Sequence, residues 1–156
     1  MVSLEGFSHK MTRRMGRAID YTAILLVLWA LAGAIPLRWL GFNPGIVEVV
    51  SGPAPNVVLF SRHIERDIRL RYSVVVRAIE TLDIACEAYS NAFTYRAQPG
   101  GPITKDLAWW APGDARCASL PLGQYAMETC WTWPSPIPFI PNKFICRMSN
   151  IFEVTE

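Results

Sequence analysis

The stretch IRLRYSVVVRA, residues 68–78, alternates apolar side chains with mostly basic ones along its whole length. Successive side chains of a β-strand point to opposite faces of its sheet, so this two-residue period predicts one long strand. Its even-numbered positions would face a core and its odd-numbered positions, rich in arginine, would face outward. The β-branched run Val74–Val76 opposes a helix at this place. The stretch therefore favours a domain built mainly from antiparallel strands.

Further strands are predicted on both sides of this one. Residues 81–96 continue the alternation, but the apolar parity changes, which indicates a bulge or corner near Ser90-Asn91. Turn-rich segments at 98–102 and 112–114 separate the next elements. Three more strands are expected, at residues 104–110, 124–133 and 144–154. A helix remains an alternative for residues 61–70, where Glu65 and Arg69 stand four apart.

The segment Leu120-Pro121-Leu122-Gly123-Gln124-Tyr125 leads directly into the strand at 124–133. It resembles the tyrosine corner of immunoglobulin-like and fibronectin III-like sandwiches, in which a turn with Gly123 and Tyr125 opens strand F. The resemblance implies a buried Tyr125 ring whose hydroxyl bonds a backbone group upstream. No cysteine follows Tyr125 by two residues, so the central bridge of antibody domains is not implied.

A charge-free run of seventeen residues, Tyr21–Leu37, precedes the strands. Basic residues come before it: Lys10, Arg13, Arg14 and Arg17. On a helix, Tyr21 and Trp39 would lie about 27 Å apart, close to the hydrocarbon thickness of a bilayer, and aromatic residues favour its interfaces. The basic excess predicts a cytoplasmic N-terminus. We therefore expect a basic tail at 1–20, a transmembrane signal-anchor helix at 21–39 and an extracytoplasmic β-sandwich domain at 40–156.

Three alternatives to a simple anchor remain open. Ala32-Gly33-Ala34 has the small-x-small form of a signal-peptidase site, so cleavage after Ala34 would release a secreted domain. A buried helix of a soluble protein is disfavoured, because residues 24–35 contain no polar stripe. The small residues Ala30, Ala32, Gly33 and Ala34 would also suit close helix packing, as in a structural accessory subunit of a larger membrane assembly.

All four cysteines, Cys86, Cys117, Cys130 and Cys146, follow the predicted anchor. This placement favours two disulfides in an oxidising compartment over zinc, since no C-x-x-C pair is present. Cys130 and Cys146 are equidistant from position 138 in the turn between two strands, which favours Cys130 with Cys146 and leaves Cys86 with Cys117. The parities of the two strands require a bulge for this pairing, and the other two connectivities remain possible alternatives.

A proline-stiffened aromatic loop is the clearest candidate for recognition. It follows Trp131 and Trp133 and contains Ile137, Phe139 and Ile140 between prolines that hold an extended backbone. Its alternative is a simple hairpin closure, with both tryptophans in the core. The pair Trp109-Trp110 would place one ring outward on a strand, which predicts a second contact patch. We expect the loop to face lipid or another membrane protein.

Chemistry-bearing motifs are weak. His63 lies among Ser61, Glu65 and Asp67, but adjacency in sequence is not the geometry of a hydrolase triad, so an envelope hydrolase is a minor alternative. Carboxylate pairs such as Asp83 with Glu87 are typical of solvated faces. No phosphate loop, metal signature or cofactor motif occurs, and the part from residue 40 onward has a net charge of −1, which excludes a basic nucleic-acid footprint.

The sequence therefore predicts a protein with no enzymatic activity, no metal and no cofactor. We expect a single-pass membrane protein whose immunoglobulin-like domain stands in the periplasm or outside the cell and binds another envelope protein, in a bacterial or phage-modified envelope. Its partners would be membrane lipid and that protein. No small-molecule substrate is inferred.

Overall fold

The computed structural model describes the backbone of residues 5–156 and the side chains of residues 20–156. The chain forms two compact units, which are described separately. Of the described residues, the first contains 5–35 and the loop tip at 137–140. The second, here called the β-unit, contains residues 36–136 and 141–156.

The first unit is built on one long helix, α1, Glu5–Ala34. From Asp20 to Leu31 its side chains are all exposed, and the large apolar ones are exposed by about half or more. Within that unit the indole nitrogen of Trp29 donates a hydrogen bond to the carbonyl oxygen of Phe139 in the loop tip. Over the residues whose side chains are described, no helix has both the length and the apolar composition needed to cross a membrane.

The expected helix at 21–39 is wrong at its C-terminal end. α1 stops at Ala34, and Pro36 adopts an extended backbone with φ −73° and ψ 152°. A proline disfavours helical geometry in the residue before it, so the helix ends there. A short 3₁₀ helix, Leu37–Leu40, follows and is closed by Gly41 at φ 84°. Leu37, the last residue of the charge-free run, is buried in the core of the β-unit.

The β-unit is mainly β, with two antiparallel sheets. Its strands are β1 Phe42–Val49, β2 Val57–Ile64, β3 Ile68–Ala78, β4 Ile84–Tyr89, β5 Phe93–Tyr95, β6 Pro102–Asp106, β7 Gly123–Trp133 and β8 Lys143–Val154. A short helix, α2 Leu107–Trp110, and a 3₁₀ helix, Ala115–Ala118, lie between β6 and β7. One sheet has the order β1-β2-β6. The other has the order β4-β3-β7-β8, with β5 also pairing with β3.

The alternation of residues 68–78 is confirmed as a single strand at the centre of the larger sheet. In β3, Ile68, Leu70, Val74 and Val76 are buried, whereas the arginines between and after them are exposed. Every inward position meets another apolar side chain, so the two sheets enclose one hydrophobic core. The helix considered for residues 61–70 is absent, because β2 continues to Ile64 and β3 begins at Ile68 in the other sheet.

Two other strand predictions need correction. Residues 81–96 form two strands, β4 and β5, and the predicted corner is the break between Tyr89 and Phe93. Residues 104–110 are not one strand, because Asp106 caps a helical turn: its carboxylate accepts a hydrogen bond from the backbone nitrogen of Trp109 at 2.6 Å. The strand β6 therefore ends at Asp106 and α2 begins.

Both disulfides are present, and their pairing is the favoured one. Cys86 bonds Cys117, and Cys130 bonds Cys146 as directly opposed residues of β7 and β8. The required bulge is a register shift between Ala126 and Glu128. Beyond it the inward face of β8 changes parity, so both half-cystines lie on the same side of their sheet.

Candidate functional site

The predicted aromatic contact set separates into core and surface members. Trp131 is 2% exposed and belongs to the core of the β-unit, and Trp133 packs partly against that core. The expectation that these two tryptophans present a contact surface is therefore not supported, since the hairpin-closure alternative describes them better. In the loop tip, Ile137 is 55% exposed and Phe139 is 92% exposed, while Ile140 is half-buried.

One ring of the pair Trp109-Trp110 is exposed and the other is buried, as expected, but a helical turn and not a strand produces this arrangement. Trp109 is half exposed and Trp110 is almost fully buried. They stand on the helical turn α2 rather than on a strand, and the Asp106 cap fixes that turn. Consecutive residues of a helix point about 100° apart, so one ring enters the core while the other stays at the surface.

A cavity of about 490 Å³ lies beside these two rings, within the β-unit. Its volume falls in the range of small-molecule binding sites. Six of the residues that line it are aromatic: Tyr72, Phe93, Tyr95, Trp109, Trp110 and Trp131. Arg62, Ser90 and Pro112 complete the lining. We call this cavity the aromatic pocket.

The rings of the aromatic pocket pack against one another in favourable geometries. The centroids of Phe93 and Tyr95 lie 4.3 Å apart, and Tyr72 meets Phe93 edge-on at 5.9 Å. Trp110 meets Trp131 at 6.4 Å with the planes 74° apart. These separations are those at which aromatic pairs attract one another. We call the partly exposed rings of Phe93 and Trp109 the rim of the pocket, and the buried rings of Tyr95, Trp110 and Trp131 its floor.

One buried hydrogen bond fixes the floor of the pocket. Trp110 Nε1 donates to Thr129 Oγ1 at 3.0 Å, and Thr129 is fully buried on β7. Ser90 Oγ accepts from the backbone nitrogen of Tyr72 at 2.8 Å, which ties the segment after β4 to β3. Burial raises the pKa of Tyr95 and of Tyr72, so both hydroxyls remain protonated and able to donate at neutral pH.

Arg62 is the charged side chain of the pocket. Its guanidinium carbon lies 5.0 Å from the centroid of the Tyr95 ring and 5.7 Å from that of Phe60. Nη2 donates to the neutral Gln98 Oε1 at 3.4 Å, while Nε is buried and has no hydrogen-bond partner among the described residues. Burial lowers the pKa of Arg62, yet a guanidinium stays charged at neutral pH.

Sequence reasoning missed this pocket, and Arg62 carries the signal that could have revealed it. Val58, Phe60 and Ile64 are the buried residues of β2, and Arg62 has the same parity. The alternation of β2 assigns position 62 to the core. A cation at a core position is unusual and indicates a functional role.

The residues weighed for catalysis are engaged in structural roles. His63 Nδ1 accepts a hydrogen bond from the backbone nitrogen of Gly100 at 3.2 Å, and Ser61 Oγ accepts one from Ile46 at 3.2 Å. Asp67 Oδ1 accepts from the backbone nitrogen of Ala97 at 2.8 Å. These contacts hold the turn after β2 and its neighbouring loops together.

Three side chains on the larger sheet, one acidic and two containing sulfur, lie close together. Ligand atoms of Glu128, Cys130 and Cys146 lie within 4.8 Å of one another. Both sulfurs are joined in the disulfide, so neither is the thiolate that a metal ion would require. The group therefore offers a single carboxylate.

The corner expected from the resemblance has the expected hydrogen bond. Tyr125 is buried and donates from its hydroxyl to the carbonyl oxygen of Pro121 at 2.9 Å. Its ring packs on Phe152 of β8 at 5.9 Å between centroids. Gly123, at φ 152°, opens the strand two residues earlier.

The fold and the pocket together define a disulfide-bonded β-sandwich with an aromatic cavity. No family model matches the chain, and no curated protein matches it. Among solved structures it is similar to one described as "Crystal structure of the C-terminal domain of wzt", with 12% identity, 74% of each chain covered and a TM-score of 0.48. Similarity at this level carries no information about function.

Proposed function

We propose that this chain is a membrane-anchored binding protein that carries an immunoglobulin-like domain on the extracytoplasmic side of an envelope membrane. The observation that carries the proposal is the surface of α1. Its large apolar side chains from Tyr21 to Leu31 are exposed and point in every direction around the helix. A helix with apolar side chains on every face is stable only when those side chains are shielded from water. Lipid provides such shielding.

The flanks of the helix suit the same environment. In sequence, Lys10, Arg13, Arg14 and Arg17 precede the apolar run, and Arg38 and Trp39 follow it. The charge-free helical part, Tyr21–Ala34, is about 21 Å long, shorter than the hydrocarbon core. Short spans are accommodated by bilayer thinning and by basic side chains that extend to its surface. The basic excess before the helix favours a cytoplasmic N-terminus.

The loop tip at 137–140 supports a lipid-facing surface. It belongs to the same unit as α1, and Trp29 donates to the carbonyl oxygen of Phe139 there. Phe139 and Ile137 would lie in the same lipid layer as the apolar residues of the helix. Two apolar side chains of this size strengthen membrane attachment beyond what the helix alone provides.

The immunoglobulin-like assignment rests on strand order. Lettering the strands β1, β2, β3, β4, β6, β7 and β8 as A, B, C, C′, E, F and G gives sheets A-B-E and C′-C-F-G. Immunoglobulin-like sandwiches divide their strands in this way, and the tyrosine corner opens strand F. The two disulfides favour an oxidising compartment, such as the periplasm or the cell exterior.

The anchor is tested by membrane extraction of the full chain. Wild type should stay in the membrane pellet after alkaline carbonate washing. A Leu26→Arg, Leu28→Arg double variant should appear in the soluble fraction, because each charge near the centre of a span disfavours insertion by roughly 2.5–3.5 kcal/mol. The control, Leu122→Arg with Ile151→Arg, changes two exposed residues of the β-unit and should remain in the pellet. Release of wild type by carbonate would refute the anchor.

The binding role is tested by proximity cross-linking in intact cells. Ile137→Ser with Phe139→Ser should remove specific cross-links to a second envelope protein, since these side chains and Trp109 are the exposed members of the contact set. Met148→Ser with Ile151→Ser removes two exposed apolar groups from β8 and should leave the cross-links intact. An identical cross-link pattern in both variants would contradict this role for the loop.

A further inference from the structure

We propose that the aromatic pocket binds an organic anion, specifically a carboxylate carried on an aromatic ring system. This inference goes beyond the anchor and the loop, and it does not depend on either of them. It follows from two properties of the pocket: a guanidinium with no anionic partner among the described residues, and a lining in which six of nine residues are aromatic.

The anionic part of the ligand is inferred from Arg62. Arg62 is partly buried, and a charge that is withdrawn from water in a protein is normally paired with an opposite charge. No carboxylate among the described residues lies within ion-pair distance of Arg62, whose Nη2 reaches only the neutral Gln98. The Nε proton is buried without an acceptor. A ligand carboxylate would accept two parallel hydrogen bonds from the guanidinium and would so provide its anionic partner.

The aromatic part of the ligand is inferred from the walls. The rim rings of Trp109 and Phe93 face a floor of buried rings, and flat molecules stack on such surfaces. A neutral sugar fits less well, because its hydroxyls each require a polar partner. The indole nitrogen of Trp110 already donates to Thr129, and six of the nine lining residues are aromatic, so the pocket offers few polar groups.

A second cation lies at the rim and reinforces the preference for anions. Lys105 Nζ is 5.0 Å from the centroid of the Trp109 ring. The carboxylate of neighbouring Asp106 is engaged in the cap of α2. Positive charge near the entrance of an apolar cleft raises the local concentration of anions and their rate of association.

The test uses the full chain in phosphatidylcholine nanodiscs, with empty nanodiscs as the blank for lipid partition. Isothermal titration calorimetry compares biphenyl-4-carboxylate with the matched neutral probe biphenyl-4-carboxamide. The carboxylate should bind at least about tenfold more tightly, because a charge-assisted hydrogen bond is roughly twice as strong as a neutral one. Arg62→Met should lower carboxylate affinity to that of the amide. Arg71→Met, which removes an exposed arginine from β3, should change neither affinity.

Several outcomes would overturn the proposal. Equal affinities of wild type for the two probes, or no binding of either, would refute the inference that the ligand is an anion. This result needs no variant. Tighter binding of glucuronate or dodecanoate than of biphenyl-4-carboxylate would refute the inference that the ligand is aromatic. If Arg62→Met does not show the wild-type thermal transition, Arg62→Lys replaces it. That variant keeps the charge but loses the planar fork, so it should bind the carboxylate more weakly than wild type, and unchanged affinity would overturn the role of Arg62.

Discussion

Replacing Thr129 by valine tests whether one buried hydrogen bond holds the floor of the aromatic pocket. Valine has the shape of threonine but no acceptor, so the substitution leaves Trp110 Nε1 without the partner it has at 3.0 Å. Thr129 is 0% exposed and Trp110 is 5% exposed, so water does not replace the lost acceptor. A buried donor without a partner costs about 1–3 kcal/mol.

That loss should be visible as a lower melting temperature. For a domain of this size, 1 kcal/mol corresponds to roughly 4 °C, so Thr129→Val should lower Tm by about 4–12 °C. Near-ultraviolet circular dichroism of the full chain in nanodiscs follows the tryptophan environment directly. Thr132→Val, on the same strand but partly exposed on the opposite face, is the matched control and should stay within about 0.5 kcal/mol of wild type.

A double-mutant cycle separates the hydrogen bond from packing. Trp110→Phe removes the donor, so adding Thr129→Val to it should cost less than in wild type, by about 1 kcal/mol. A Tm of Thr129→Val within 2 °C of wild type, or strict additivity in the cycle, would refute the reasoning that this bond stabilises the pocket.

Three further changes have defined outcomes. Tyr125→Phe removes the corner hydrogen bond and should lower the free energy of unfolding by about 1 kcal/mol in urea, whereas Tyr89→Phe, at the surface, should change it little; equal losses would contradict a special role for the corner. An adjacent guanidinium holds the pKa of Asp114 well below its usual value, so this group stabilises the fold above its unfolded-state pKa of about 3.9. That stabilisation is lost as pH falls through the lower folded-state pKa, and Asp114→Asn should weaken this acid dependence in thermal melts between pH 2 and 7. Gly41→Ala should destabilise by about 1–2 kcal/mol, because φ is 84° and the new Cβ would lie 3.2 Å from a neighbouring side chain. Gly113→Ala has a positive φ but open space, so a loss equal to that of Gly41→Ala would show that the contact is unimportant.

The regular parts of the fold could be predicted because each depends on local alternation. β3 and β7 follow a two-residue period along most of their length, and the two strands pair along most of it. Hairpin symmetry favoured the pairing of Cys130 with Cys146 over the other connectivities, and the parity conflict correctly indicated a bulge. Such features are encoded within a few neighbouring residues, so the sequence displays them directly.

The misplaced boundaries have a common cause in single residues that override a pattern. Pro36 ends α1 although the apolar run continues to Leu37, which joins the core of the β-unit instead. Asp106 starts a helical turn although the sequence pattern predicts a strand over residues 104–110. In both places a backbone preference sets the boundary of the element, and hydrophobicity does not. At Pro36 it is the extended geometry of the residue before a proline, and at Asp106 it is the capping of a backbone amide.

The aromatic pocket could not be predicted as a whole, because its walls come from segments far apart in sequence. Even so, β2 contains a local sign of it. Val58, Phe60, Arg62 and Ile64 share one parity, and the first two and the last are buried. Placing a guanidinium among them costs desolvation energy that apolar residues at the same position would avoid. Arg62 contacts the rings of Tyr95 and Phe60 and donates to Gln98, but it has no carboxylate partner among the described residues. The position is therefore better explained by what Arg62 binds than by what it holds together.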